Sequence, residues 1–290
     1  MTPHRRIAIV GATGVLGRPV LQRLLARGHT VRAIVRRPEA TAGLAPAPLL
    51  EVVPGDILEP DSLVAGLRGC DAVLHLATAI PRPGAAPGDW SRNDRIRIDG
   101  TRHLLAAATR TGCRRYVQQS VAMLHAGAPE PIATEDAPLQ GQGVLASALE
   151  MERLVQQACD LQWVILRGGL FYGPGTDFSA ETNRRAREGL LQLPAQGQHY
   201  VSLVHVDDMA NAVVLAAESD VSQMALNIVD DRPVRWRELL GHVAAWHGAA
   251  APQPGGAAGL PGFRVGNGRA REVLGWTPRF ADYRSGWRAA

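Results

Sequence analysis

The sequence predicts an α/β chain, a doubly wound parallel sheet with a small C-terminal lobe. Three observations carry that prediction. Short β-rich runs alternate with amphipathic helical stretches as far as residue 168. A glycine-rich turn joins the first run to the first helix. After Arg167 the alternation loosens into turns and shorter elements. Strict alternation favours parallel strands covered by helices on both faces. A chain of 290 residues has room for one or two domains.

Arg6 to Val10 reads as a buried strand, and Val15 to Ala26 as a helix stopped by Gly28. Its Val20, Leu21, Leu24 and Leu25 recur at helical spacing. Strands are expected at Thr30–Val35, Leu49–Val53, Asp71–Leu76, Arg115–Gln119 and Gln162–Leu166. Helices are expected at Pro60–Leu67, Asp94–Thr111 and Val144–Cys159. Gly168 to Gly175 reads as an irregular turn. Beyond it the pattern places helices at Ala180–Gly189, Asp208–Glu218 and Arg235–Trp246, with strands at Val201–Val204 and Ala225–Val229. Residues 249–262, rich in Ala, Pro and Gly, read as a surface connection. The expected organisation is a nucleotide-binding domain over 1–168, with 201–229 returning to it, and a substrate-facing lobe from 169–200 and 230–290.

Hydrophobic residues make up 46% and charged residues 20%, the balance of an ordered globular chain. All 31 basic residues are arginine. The absence of lysine excludes a Schiff base, a phosphate-loop lysine and a lysine-tuned tyrosine. Arginine pairs are scattered and the net charge is only +4, so no nucleic-acid partner is expected. Cys70, Cys113 and Cys159 are far apart and odd in number, which argues against a disulfide framework or a metal site. With strand-like sequence from Ile7 and no long apolar run, neither a signal peptide nor a membrane span is expected; the expected home is the cytoplasm.

Gly11-Ala-Thr-Gly-Val-Leu-Gly17 lies between the first strand and the first helix. In that context small residues let backbone N–H groups approach a pyrophosphate at a helix N-terminus. The expected cofactor contacts here are Gly11, Thr13, Gly14, Val15, Leu16 and Gly17. An acid at the end of the second strand would hold both ribose hydroxyls of NAD, whereas arginine accommodates a 2′-phosphate. Arg36 and Arg37 stand there, with no acid before Glu39, which favours NADP over NAD; ordinary surface charge is the competing reading. Asp56 and Ile57 are expected beside the adenine, with a turn or cap as the alternative for Asp56, and Leu76, Ala77 and Thr78 on the other flank.

With these motifs the chain resembles the extended or atypical short-chain dehydrogenase/reductases, the group of sugar-nucleotide epimerases and dehydratases. The glycine loop, Gly55-Asp56, His75-Leu-Ala-Thr78, Gly100-Thr101, Arg167 to Pro174, His205-Val-Asp-Asp208 and Leu274 to Pro278 match in order. The resemblance implies a Rossmann-type sheet, a nicotinamide cofactor, a small-molecule substrate and a homodimer through helices 94–111 and 144–159. It also implies a tyrosine and, four residues later, a lysine that lowers the phenol pKa. Counted back from Glu152 these fall at Val144 and Ala148. None of the four tyrosines is followed by a lysine, so the family's proton relay is absent.

Four residues remain as candidates for the chemistry, with His75 beside them. Ser120 stands where the resemblance places a substrate-binding serine. Arg97 takes the place of an asparagine; it would bind an anion or polarise a carbonyl, or else form a surface salt bridge to Asp94 or Asp99. His125 and His75 titrate in the right range, although a histidine at a strand end is commonly structural. Tyr172 is the best surviving phenol, or else a packing aromatic. Asp207 and Asp208 read as helix caps. Trp90, Arg82, Arg92 and Asn93 are expected to overhang the cleft, with Phe178, Arg184, Arg185 and His199 in the second lobe. The leading expectation is an NADP(H)-dependent oxidoreductase with a non-standard relay. A non-redox cyclase, isomerase or lyase, and a non-catalytic NADP(H) sensor, are the alternatives.

Overall fold

Seven parallel strands form the central sheet of the computed structural model, which describes residues 4–37, 41, 47–81, 89–127, 132–256 and 261–287. In chain order they are β1 (Arg6–Val10), β2 (Thr30–Val35), β3 (Leu50–Pro54), β4 (Ala72–His75), β5 (Arg115–Val121), β6 (Gln162–Gly168) and β7 (Met224–Ile228). Their spatial order is β7-β6-β5-β4-β1-β2-β3, so the winding reverses between β1 and β4. Val10 pairs with Ile34 on one side and His75 on the other, aligning the strand ends that open the crevice there.

Both faces of the sheet are apolar, as a buried parallel sheet requires. Ile7, Ile9, Val31 and Leu74 pack on one face against α1 (Gly17–Ala26) and residues of Val206–Glu218. Ala8, Val10, Val73 and Ile165 pack on the other, against α2 (Pro60–Leu67) and the helical stretch that follows β4. That stretch departs from the single helix expected over Asp94–Thr111. Helix α3 (Ser91–Arg95) runs into a π-helical turn, Ile96–Gly100, before α4 (Thr101–Thr111). A π turn adds a residue to the repeat and re-aims the side chains it carries.

Helix α5 (Ala146–Gln156) begins after a 3₁₀ turn at Gly143–Leu145, so Val144 lies outside the regular helix. The segment expected as a bare turn after β6 contains a short strand, Leu170–Tyr172, parallel to Leu203–His205. Within residues 201–229 only β7 joins the large sheet; α7 (Val206–Glu218) packs against α1. Helix α6 (Asp177–Arg187) and α8 (Trp236–Trp246) share a third core with Tyr172, Trp236 and Trp287. The Ala- and Gly-rich connection holds a strand, Gln253–Gly256, paired with Gln192–Pro194. Among the described residues no helix is long and apolar enough to cross a membrane.

Candidate functional site

The glycine loop is tight because each of its glycines has a neighbour where a side chain would go. Gly11 has φ +99°, and a Cβ there would lie 2.7 Å from the Ala77 backbone nitrogen. Gly14 N–H donates to the Gly11 carbonyl at 3.0 Å, closing the turn. A Cβ on Gly17 would run into the Gly11 carbonyl oxygen and come within 2.8 Å of the Ala12 backbone. No side chain caps the start of α1 and its first turn carries no acid. The uncapped helix start is therefore open to an anion, and the cradle fits a dinucleotide pyrophosphate.

A cleft of about 350 Å³ lies above the loop. Gly11, Thr13, Gly14, Val15 and Leu16 form its base, while Gly17 packs behind. Arg36 and Arg37, both exposed, line it at the end of β2. Asp56 and Ile57 come from the β3 side, and Leu76, Ala77 and Thr78 from the β4 side. Asp56 Oδ1 accepts from the Leu58 N–H at 3.0 Å, so the carboxylate is steadied within its own turn. Glu39, the first acid after β2, lies outside the described residues.

Beneath this wall His75 Nδ1 lies 2.9 Å from Gln118 Oε1 and 3.3 Å from Thr101 Oγ1. Burial pushes His75 down to about 4, so at neutral pH it is an uncharged structural ring. Asn93 is buried, and its Oδ1 accepts from the Ala79 N–H at 3.0 Å, fixing the wall. Arg92 lines the cleft, Trp90 is half-buried, and Arg82 lies outside the described residues. Ile80, Ile96, Gln119 and Phe171 also line it. Nothing in periodicity or motif spacing singled these four out.

The four chemistry candidates do not converge on the cleft. The Ser120 hydroxyl donates to Glu152 Oε1 at 2.5 Å, below the surface. Arg167 grips the same carboxylate, Nη2 to Oε2 at 2.8 Å and Nε to Oε1 at 3.1 Å. Arg167 Nη1 also lies 3.3 Å from His125 Nε2. Burial, reinforced by the Arg167 charge, pushes His125 down to about 4, so it is neutral. Glu152 and Arg167 tie Ser120 and His125 together; in the sequence Glu152 only marks the register of its helix and Arg167 only opens a motif. A buried acid on a helix opposite an arginine at a strand end was the available signal.

Tyr172 does not line the cleft. It is 0% exposed, stacks on Trp287 with ring centres 6.0 Å apart, and meets His205 edge-on. Burial pushes its phenol pKa upward, away from proton transfer near neutrality. Arg97 forms neither of the ion pairs considered for it. Its Nη1 donates to the Val144 carbonyl at 3.1 Å and lies 3.2 Å from Ser147 Oγ, at the start of α5. Val144 is 40% exposed, whereas Ala148 is sealed against Leu124 and Leu145.

The second lobe contributes packing. Phe178 meets Trp236 and Trp287 edge-on, Arg184 pairs with Glu181 and Glu188, and Arg185 bonds the Leu190 carbonyl. His199 is exposed. The helix caps need a correction: His205, not an aspartate, caps α7 by accepting from the Asp207 N–H. Asp208 instead accepts from the backbone N–H groups of Arg279 and Phe280, pinning the C-terminal segment.

Comparison with known proteins gives a consistent picture. The profile of the NAD dependent epimerase/dehydratase family matches residues 7–228. A 3-diazoavenalumate denitrifying reductase from a Streptomyces species is 35% identical over 97% of this chain and 98% of its own. A 2-alkyl-3-oxoalkanoate reductase from Stenotrophomonas maltophilia is 28% identical over 84% of this chain and 76% of its own. Among solved structures, MoeE5 in complex with UDP-glucuronic acid and NAD superposes with a TM-score of 0.83. It is 26% identical and covers 98% of this chain and 97% of its own.

Proposed function

Because the chain belongs to the NAD dependent epimerase/dehydratase family, we propose that it is an NADP(H)-dependent reductase delivering hydride to a small aromatic substrate that needs no protein-derived proton. One observation carries this reading: the expected relay positions, in the turn before α5 and on α5 itself, hold Val144 and Ala148, in a chain without lysine. The phenol singled out for the chemistry, Tyr172, is sealed in the lobe core. The reductase names of its relatives support the oxidoreductase class.

A reduced carbonyl becomes an alkoxide and must be protonated, which is the work of the missing pair. An arenediazonium makes no such demand, and the relative at 35% identity is named for a diazo compound and its denitrification. Nicotinamide, when bound, would supply hydride; with a diazonium acceptor the C–N bond would break with its electrons leaving on N₂, so that ArN₂⁺ and NADPH would give ArH, N₂ and NADP⁺. The protein's own work is then positioning. Residues Gly11 to Gly17 would hold the pyrophosphate, Asp56 and Ile57 the adenine, and Arg36 and Arg37 the 2′-phosphate. The Ser120–Glu152–Arg167 cluster joins α5 to β5 and β6, holding the wall beside the reacting groups.

The test uses NADPH deuterated at nicotinamide C4 with a benzenediazonium salt in ordinary water. Deuterated arene and N₂ above the protein-free rate are expected, with little change when D₂O replaces water. Arene hydrogen drawn from solvent, or no gain over the protein-free rate, would overturn the reading.

A further inference from the structure

We propose that Arg97 is a substrate-binding residue that takes a carboxylate, so that the hydride acceptor is an aromatic acid. The proposal rests on the reductase reading above and names its substrate class. Three arginines among the described residues are more than nine-tenths buried: Arg97, Arg115 and Arg167. Arg115 spends its guanidinium on the carbonyls of Ala216, Val221 and Gln162 and on Ser219 Oγ. Arg167 is matched by Glu152 and His125.

Arg97 is matched only at one corner. Its Nη1 reaches Val144 O and Ser147 Oγ; among the described residues Nε and Nη2 have no acceptor, and no carboxylate lies within 4.0 Å. Asp94 supports its charge only from farther away. A guanidinium 6% exposed without a counter-charge is costly, and a protein that keeps one gains when an anion arrives. The idle edge is Nε–H beside Nη2–H, the fork that a planar carboxylate meets side-on with two parallel hydrogen bonds.

Arg97 does not itself line the cleft but stands next to a residue that does. The π turn that carries Arg97 also carries Ile96, which lines the cleft. Val144, whose carbonyl steadies the guanidinium, stands at the vacated tyrosine position and is open to solvent. Arg92 joins Arg36 and Arg37 in the cleft lining, and the sole acid there among the described residues is Asp56. The nearby histidines, His75 and His125, are neutral, so neither competes for the anion.

The experiment measures binding of cinnamate and cinnamamide, which differ in the anionic group, to the full chain saturated with NADP⁺. Wild type should prefer cinnamate. Arg97→Gln should weaken cinnamate by about 10- to 100-fold, the worth of a charge-assisted pair, and leave the amide unchanged. Arg97→Lys should recover part of the preference. Without ligand, Arg97→Gln should melt no lower than wild type, because it removes a buried cation rather than a satisfied one. Equal or undetectable binding of acid and amide to wild type overturns the proposal. So does a preference that survives in Arg97→Gln, or one lost together with a large fall in melting temperature. Deuterium transfer is scored separately: an Arg97-dependent preference without transfer retains the anion site and removes the reductase reading. Transfer that is equal for 4-carboxy- and 4-carbamoylbenzenediazonium and insensitive to Arg97→Gln does the reverse.

Discussion

At the dinucleotide end of the cleft the polar groups face open space, whereas behind its other end they satisfy one another. The α1 start is uncapped and Arg36 and Arg37 are exposed. A few strands away, Ser120, Glu152, Arg167 and His125 form a closed cluster. The contrast teaches that one end of the fold leaves polar groups free for a ligand while the other uses them to hold its own elements together. A reaction of hydride alone needs free groups only at the first.

The largest effect should come from closing the binding side. Gly17→Ala places a methyl against the Gly11 carbonyl and the Ala12 backbone, neither of which is the end of a flexible side chain. The loop must move, and its N–H groups with it. NADPH affinity should fall by more than about 100-fold, the scale of losing two or more charge-assisted hydrogen bonds, in a fluorescence titration. Near wild-type affinity would mean that the loop does not hold the pyrophosphate.

Next is the scaffold side. Glu152→Ala leaves Arg167 as a buried cation without its carboxylate and strips Ser120 of its acceptor. Chemical denaturation should show a loss of about 3–5 kcal/mol, the usual consequence of removing one partner of a buried pair. A loss below 1 kcal/mol would show that the cluster is not structural, and would reopen Ser120 as a participant.

The cofactor choice is a smaller effect. Arg36→Asp should weaken NADPH by about 10- to 100-fold and NADH by much less, since it sets a carboxylate where a 2′-phosphate is expected. Equal losses in parallel titrations would remove Arg36 from the phosphate site.

The same contrast explains what could be read in advance. Alternation and the glycine loop pointed to the parallel sheet and to a nucleotide-binding turn because both rest on local rules: period, turn residues and backbone approach. The Arg36–Arg37 and Leu76–Thr78 positions followed from strand ends alone. Tyr172 did not, because whether a phenol faces a cleft or a core depends on Trp287, over a hundred residues away in sequence. Glu152 escaped notice for the same reason, its partners lying on β5 and β6. The π turn that re-aims Arg97 has no compositional signature, so a surface salt bridge remained open until the geometry was known.

Acid should affect the scaffold without touching the chemistry. His75, His125 and His205 are each held down to about 4, mainly by burial. Between that value and the ordinary histidine pKa near 6.5 the unfolded chain binds more protons than the folded one. The contribution of these three histidines is therefore full above about pH 6.5, declines as the pH falls toward 4 and is lost below it, partly offset by Asp230, which burial raises to about 8. Denaturation midpoints measured from pH 6.5 down to pH 4.5 should fall, while the rate of deuterium transfer between pH 7 and 9 stays flat. A bell-shaped rate profile in that upper range would place a titrating group in the reaction.

The smallest effect belongs to Tyr172→Phe, and it separates the two sides most cleanly. The Tyr172 hydroxyl is buried, has no hydrogen-bond partner among the described residues, and lies against Gly286. An unsatisfied buried hydroxyl contributes nothing to offset its desolvation, so its removal should raise stability by about 1 kcal/mol or leave it unchanged. If hydride transfer needs no phenol, kcat should be unaltered with a diazonium acceptor, and the KM should not move. A fall in kcat of tenfold or more, with stability unchanged, would mean that the lobe core opens during turnover and that Tyr172 reaches the substrate. The binding side of the cleft would then have recruited a residue that the resting structure assigns to its scaffold.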